Sequence, residues 1–227
     1  MKIVRLLLMA IFTVVYSFSA QAQDKKIEFG IMGGYGHTMP KLKDGRTVKI
    51  PAINENNLNG FHVGPMLKFN ASEQIGFQTG VLYNHFGGLY IDRSQLALKK
   101  LDGTWRQTRT SLDAIDVPLR LVYNLSLADE LSAFIFAGPN LNYALTKTTS
   151  EEQYVTNKLT TNVKSDNIYK EPTNYSALDL QMGAGLGVKF YGLSLRASYD
   201  WGILNRTILD DATLRSNDIK VSLGYSF

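Results

Sequence analysis

The sequence has no cysteine among its 227 residues. An exported chain of this kind carries no disulfide and no lipid on an N-terminal cysteine, so its stability has to come from a closed hydrogen-bonded sheet. Long hydrophobic runs are missing too. Beyond residue 22 nothing approaches the ~18–20 apolar residues of a membrane-crossing helix, which excludes helical spanning. Charge of one sign is scarce. The formal charge of +4 falls to +2 once Lys2 and Arg5 are set aside, too near neutral to argue for a nucleic-acid partner.

Lys2 and Arg5 belong to a separate segment. They form a basic start, residues 6–15 an apolar centre, and Ala20-Gln21-Ala22 a small-residue cleavage site. Residues 1–22 are therefore expected to be a signal peptide, with the mature chain beginning at Gln23. Residues 23–227 are expected to form one barrel domain, since this length suits a closed barrel of eight strands.

What the mature sequence has is alternation. In residues 112–125 the positions Ile115, Val117, Leu119, Leu121, Tyr123 and Leu125 are apolar, while Asp116, Arg120 and Asn124 lie between them. After a polar break at 126–130 the pattern returns with Leu131, Ala133, Ile135, Ala137, Leu141 and Tyr143. Ser132, Phe134, Phe136, Gly138, Asn140 and Asn142 take the other side. A period of two is a strand signal, because successive side chains point to opposite faces. The two segments predict an antiparallel hairpin whose strands reach the ~9–11 residues needed to cross a bilayer at a tilt. Similar segments occupy 27–38, 60–69, 75–83, 177–190, 193–203 and 218–227, giving eight strands in all.

The links alternate in length. Residues 70–74, 126–130 and 191–192 are short; 39–59, 86–111, 146–176 and 205–217 are long. Short periplasmic turns and long external loops are the pattern of an outer-membrane barrel, and an even strand count puts both chain ends on the periplasmic side. Asp102-Gly103 is a two-residue turn signal that would make 86–111 a hairpin extension. The link 146–176, rich in Thr and Asn with offsetting charges, reads as a solvated loop.

Alternation alone leaves a soluble, ligand-holding barrel open. Three features favour the inverted, membrane arrangement: glycines on the polar face (Gly64, Gly76, Gly80, Gly138, Gly183, Gly185, Gly187), aromatics near strand ends on the apolar face (Tyr35, Tyr83, Tyr123, Tyr143, Phe190, Trp201), and a terminal strand that closes on Phe227. Phe227 in that strand resembles the signal by which such barrels are recognised by the barrel-assembly machinery. The expectation is an all-β, eight-stranded antiparallel up-and-down transmembrane barrel in the outer membrane, in contact with its lipid.

Ile115-Asp116-Val117-Pro118-Leu119-Arg120-Leu121-Val122-Tyr123 is similar to the Ile-Pro-Leu-Leu-Leu-Lys-Tyr core of the PorT-like outer-membrane β-barrel proteins of the Bacteroidetes group. Phe136-Ala137-Gly138-Pro139, Met182-Gly183-Ala184-Gly185-Leu186-Gly187, and Arg196-Ala197-Ser198-Tyr199 followed by Gly202-Ile203-Leu204-Asn205 extend the resemblance over most of the mature chain. The Asp between Ile115 and Val117 departs from the family core. The resemblance implies the barrel; the family's namesake assists protein secretion, and most relatives have no assigned activity.

The polar-face positions carry Glu28, Asp116, Asp179, Asp200 and Asp218 against Lys68, Arg120, Lys189, Arg196 and Lys220. An eight-stranded interior is just wide enough for side chains, and an unpaired charge in low dielectric is costly. These ten are therefore expected to be a paired structural network that plugs the barrel. His37 and His85 have lipid-facing parity and His62 faces inward, so the three rings diverge and no metal site is expected. Asp92, Ser94, Ser111 and Asp113 lie near His85, yet no spacing marks a nucleophile with its base. Residues 183–187 are a strand, not a phosphate loop. The expectation is a non-enzymatic barrel without cofactor, with specificity in the external loops or a periplasmic partner. Two alternatives are an accessory component of a secretion system and a rim-located lipid-modifying enzyme.

Overall fold

A computed structural model describes residues 26–44, 57–91, 99–101, 103–170, 174–209 and 212–227. The expected signal peptide at 1–22 lies outside them. The strands are β1 (Ile27–Asp44), β2 (Leu58–Asn70), β3 (Ile75–Gly80), β4 (Leu82–Tyr90), β5 (Thr104–Ala128), β6 (Leu131–Val155), β7 (Lys158–Lys164), β8 (Leu178–Phe190), β9 (Leu193–Gly202) and β10 (Ala212–Ser226).

Every pairing is antiparallel, and β1 pairs with both β2 and β10, which closes the sheet. β3 and β4 are two parts of one wall strand, interrupted at Val81, where both neighbours β2 and β5 are shared. Counting them as one, the ring runs β1, β2, β3/β4, β5, β6, β8, β9, β10 and has the eight strands that the alternation predicts. A closed ring leaves no strand edge inside the bilayer, so the wall's backbone groups can pair within the protein.

The faces divide sharply. Ile31, Phe77, Leu121, Ile135, Leu186 and Leu223 are each more than half exposed, while Asp116, Asp179 and Asp200 are buried to within 1%. In water that distribution would be inverted. In lipid it is what the solvent dictates, because the apolar exterior meets hydrocarbon and the polar atoms find each other inside.

The wall has one conspicuous irregularity. Between the pairs Pro118↔Asn140 and Leu121↔Ala137 the β5–β6 ladder is broken. Pro139 has no N–H to donate, and Gly138 sits at φ 151°. The freed Gly138 carbonyl accepts a hydrogen bond from Arg120 Nη1 inside the barrel. On the lipid side the break leaves a groove of about 420 Å³ lined by Leu67, Phe77, Leu119, Leu121 and Pro139.

One of the links differs from expectation. Residues 146–176 are not simply a solvated loop. β6 runs on to Val155, turns through Thr156-Asn157 at φ 49° and 58°, and returns as β7. A two-residue turn with positive φ at both positions matches the twist of its strands, which is why the polar sequence still pairs. The link 86–111 is a hairpin extension, with β4 and β5 paired as far as Tyr90↔Thr108. The two-residue turn suggested by Asp102-Gly103 falls partly outside the described residues, since Asp102 does, while Lys99 and Lys100 are helical. Asp92 and Ser94 lie outside them too.

Candidate functional site

The interior is built in layers. At mid-height Lys220 on β10 bonds to Asp116 on β5, and Asn142 Nδ2 donates to the other Asp116 oxygen at 2.6 Å. Beside them Arg120 on β5 bonds to Asp200 on β9. Asn140 Nδ2 donates to Gln181 Oε1 at 2.9 Å, and Gln181 Nε2 passes the chain on to Asp218 Oδ2 at 2.9 Å. His62 faces inward and meets Ser222 Oγ at 2.8 Å. These residues converge because their strand positions share one parity, and the closed ring brings the parity to a single axis.

Toward the periplasmic end the filling changes. Phe134 and Phe136 point inward and pack with Val122 as an apolar plug. Room for the two rings comes from β8. A Cβ on Gly187 would lie 2.4 Å from Phe134 Cζ, and one on Gly185 2.3 Å from Phe136 Cζ. The guanidinium of Arg196 lies over both rings, 5.2 and 5.3 Å from their centroids. Below it Glu28 accepts from Lys189 at 2.6 Å and from Asn70 at 2.7 Å, with Lys68 Nζ at 3.9 Å.

The ten charged positions therefore do not resolve into five pairs. Three acids have partners among the five bases: Asp116 with Lys220, Asp200 with Arg120, and Glu28 with Lys189 and Lys68. Among the described residues Arg196 has no carboxylate within ion-pair distance; its partners are Gln78 Oε1 at 3.1 Å, Met66 Sδ at 3.9 Å and the aromatic faces. Asp218 is held by Gln181. Asp179 reaches a base that alternation did not single out, Arg206, at 3.9 Å. The reason is geometric. Matching the number of acids and bases says nothing of height along the axis, and the acids cluster in the outer half.

Arg206 belongs to the outer mouth. Its Nη2 donates to Tyr169 OH at 2.6 Å and its Nε to Ser176 O at 3.4 Å. Asn167 ties this segment to β6, accepting from Lys147 N at 2.9 Å and donating to Leu145 O at 2.9 Å. Lys147 is itself buried, at 7% exposure. The ladder skips Leu145 between Ala114↔Ala144 and Asp113↔Thr146, and this bulge turns Lys147 inward. Burial, and then the nearby Arg206, lower the Lys147 pKa to about 8. Arg206, Lys147 and Tyr169 had no signal in the alternation, because bulges and connections do not obey a period of two.

On the outer wall His37 and His85 have the lipid-facing parity expected of them. His37 Nδ1 lies 2.6 Å from Asn59 Oδ1, and His85 Nδ1 2.7 Å from Asp113 Oδ1. Tyr35 and Tyr83 bond to the same acceptors at 2.5 and 2.6 Å. With Trp201 and Tyr199 stacked at 6.4 Å, these residues make the external aromatic girdle. Among the described residues no group of three His, Asp or Glu side chains could hold a metal, and no hydroxyl is bonded to His85. Ser111 pairs with Gly87 and Thr148 across the sheet. Phe227, at the periplasmic rim, donates its N–H to Phe29 O at 2.9 Å, and its ring packs on Tyr225.

Past the girdle β5, β6 and β7 project as a three-stranded sheet. Trp105 stacks on Tyr154 at 4.2 Å, with Lys99 Nζ 4.6 Å from the Trp105 ring. Gln107 and Arg109 both donate to Glu152, at 2.5 and 3.3 Å. Among the described residues β7 pairs only with β6, and all seven of its residues are exposed.

No curated protein matches the sequence. Among solved structures the chain is similar to Ail, the attachment invasion locus protein of Yersinia pestis, at 13% identity and a TM-score of 0.40, covering 89% of this chain and 99% of that one. It is similar to Neisserial surface protein A at 11% identity and 0.42, covering 88% and 97%. It is also similar to the outer membrane enzyme PagL at 12% and 0.29, covering 88% and 98%. Likeness this low carries no function from one chain to another. The family model for the outer membrane protein beta-barrel domain matches residues 20–207, most of the chain. With its lipid-facing apolar wall and closed ring, this protein belongs to the outer membrane protein beta-barrel domain family.

Proposed function

We propose that this outer-membrane barrel works without catalysis, as a structural and interaction protein that engages partners through its external sheet or at its periplasmic end. The observation that carries this reading is the filled interior: Asp116–Lys220, Arg120–Asp200 and the Phe134–Phe136–Arg196 stack occupy the axis, leaving the ends as the surfaces for contact. Outer-membrane lipid surrounds the wall in this reading, the barrel-assembly machinery acts during insertion, and residues 1–22 direct export.

The decisive measurement combines two assays. Purified protein in planar bilayers is expected to show no steady conductance. Photo-crosslinkers at Thr160 and Thr161 on intact cells are expected to capture discrete adducts that vanish when residues 151–163 are replaced by a tight turn, while the shortened barrel still folds. An open-channel current refutes the proposal, and so does the absence of adducts both from these positions and from a crosslinker at Asp129 in the periplasmic turn.

The PorT-like motifs favour one specific form of it, an accessory role in protein secretion, and adducts with secretion components would establish that form. The hydrogen bond between His85 and Asp113 favours the other alternative, a lipid-modifying site on the outer wall, since a carboxylate at Nδ1 is how a general base is oriented. A changed lipid profile on deletion of the gene, restored by the native protein and not by His85→Ala, would promote that reading over the non-catalytic one.

A further inference from the structure

The charges inside the barrel are segregated along its axis. Asp116, Asp179, Asp200 and Asp218 lie in the outer half with Lys220, Arg120 and Arg206. The periplasmic half holds Lys68, Lys189 and Arg196 around a single carboxylate, Glu28. These four side chains line one cavity of about 30 Å³, together with Asn124 and Ser194.

Glu28 already accepts a hydrogen bond at each of its two oxygens. One oxygen accepts from Lys189 and the other from Asn70, so Lys68 is left at 3.9 Å with Asn124 Oδ1 as its nearer acceptor at 3.1 Å. Among the described residues Arg196 has only neutral partners, Gln78 Oε1, Met66 Sδ at 3.9 Å and the two rings, and its Nε is buried with no hydrogen-bond partner. A buried guanidinium nitrogen without an acceptor is expensive, and so is an excess of two positive charges in a lumen walled by protein and lipid. Lys68 and Lys189 keep 17% and 25% of their side chains exposed, so the cavity communicates with the periplasmic rim.

We propose that this end of the lumen is a binding site for a small inorganic anion, a halide, and physiologically chloride. The donors are ammonium, guanidinium and hydroxyl groups, the set an anion requires. The space holds about one or two water molecules, which suits a monatomic ion and not a tetrahedral oxyanion. The ion supplies the acceptor that Arg196 Nε lacks and offsets the excess charge. The proposal rests on the lumen alone and is independent of which partner the barrel engages.

The test uses the purified full chain folded in detergent micelles. Thermal unfolding is followed by β-sheet circular dichroism while gluconate is replaced by chloride at constant ionic strength. The midpoint is expected to rise and saturate with chloride, with bromide acting alike, and the rise to disappear in Arg196→Gln. Where Arg196→Gln does not fold, Lys68→Gln at the rim carries the same comparison. Crystals grown in bromide should show an anomalous peak within hydrogen-bond reach of Arg196. Equal midpoints in gluconate and chloride overturn the site. So does a rise that sulfate reproduces or that both variants retain, since either marks a bulk salt effect.

Discussion

Lys220 and Asp116, 104 residues apart in the chain, meet across the barrel axis in a buried ion pair. Neither has water to fall back on. Removing one partner strands the other, which typically costs ~3–5 kcal/mol, whereas replacing both by apolar groups of similar volume is often near neutral. Asp116→Leu alone and Lys220→Met alone are therefore expected each to lower the unfolding midpoint in micelles markedly, and the double variant to recover much of the loss. A double-mutant cycle by denaturant titration gives the coupling; simple additivity of the two losses would contradict the pairing.

Gly138 should resist substitution more than any comparison glycine at an open site. Its φ of 151° lies where L side chains are strained, and an added Cβ would sit 2.1 Å from Leu119 O. Gly138→Ala is expected to cost at least ~1–3 kcal/mol, the usual scale of such backbone strain. Gly87→Ala, whose nearest new contact is 3.9 Å, is expected to be close to neutral. Heat-modified gel mobility of the two variants separates them.

The outer cap should tighten in mild alkali. Lys147 is lowered to about 8 when folded, against 10.5 for the ordinary side chain. Between these values the unfolded cap binds more protons than the folded one, so stability rises with pH from about 8 to 10.5. Below about 8 both states are protonated and the penalty of the buried charge is constant. Amide hydrogen exchange of residues 165–170, corrected for the intrinsic rate, is expected to slow across this window. Lys147→Met should abolish the trend, and an unchanged pH dependence in that variant would count against the burial of Lys147.

Cysteines introduced at Leu119, Leu121 and Ile135 should resist water-soluble thiol reagents in intact membranes, because these exposed apolar side chains face hydrocarbon. A cysteine at Lys158, beside the external turn, should label from outside. Rapid labelling at the first three positions without detergent would reverse the face assignment.

The wall was readable from residues 112–145 alone, because a period of two is a local property and each outward position there needs only to be apolar. Long and short links ordered the strands for the same reason. The heart of the lumen was half readable. Parity put Asp116, Arg120, Asp200 and Lys220 on one face, yet nothing local stated that Asp116 would choose Lys220 and leave Arg196 to the rings of Phe134 and Phe136.

The sequence by itself determined the wall and its solvent: with no cysteine, no apolar helix beyond residue 22 and apolar residues at every second position the backbone needs a closed sheet, and the glycines of the polar face and the aromatics near strand ends turn the apolar side of that sheet to lipid. Which charges meet, which stay unmatched and where Lys147 points were decided only by the closed ring. Strand register and the Leu145 bulge set each side chain's height and direction along a shared axis, and electrostatic pairing in low dielectric depends on those distances.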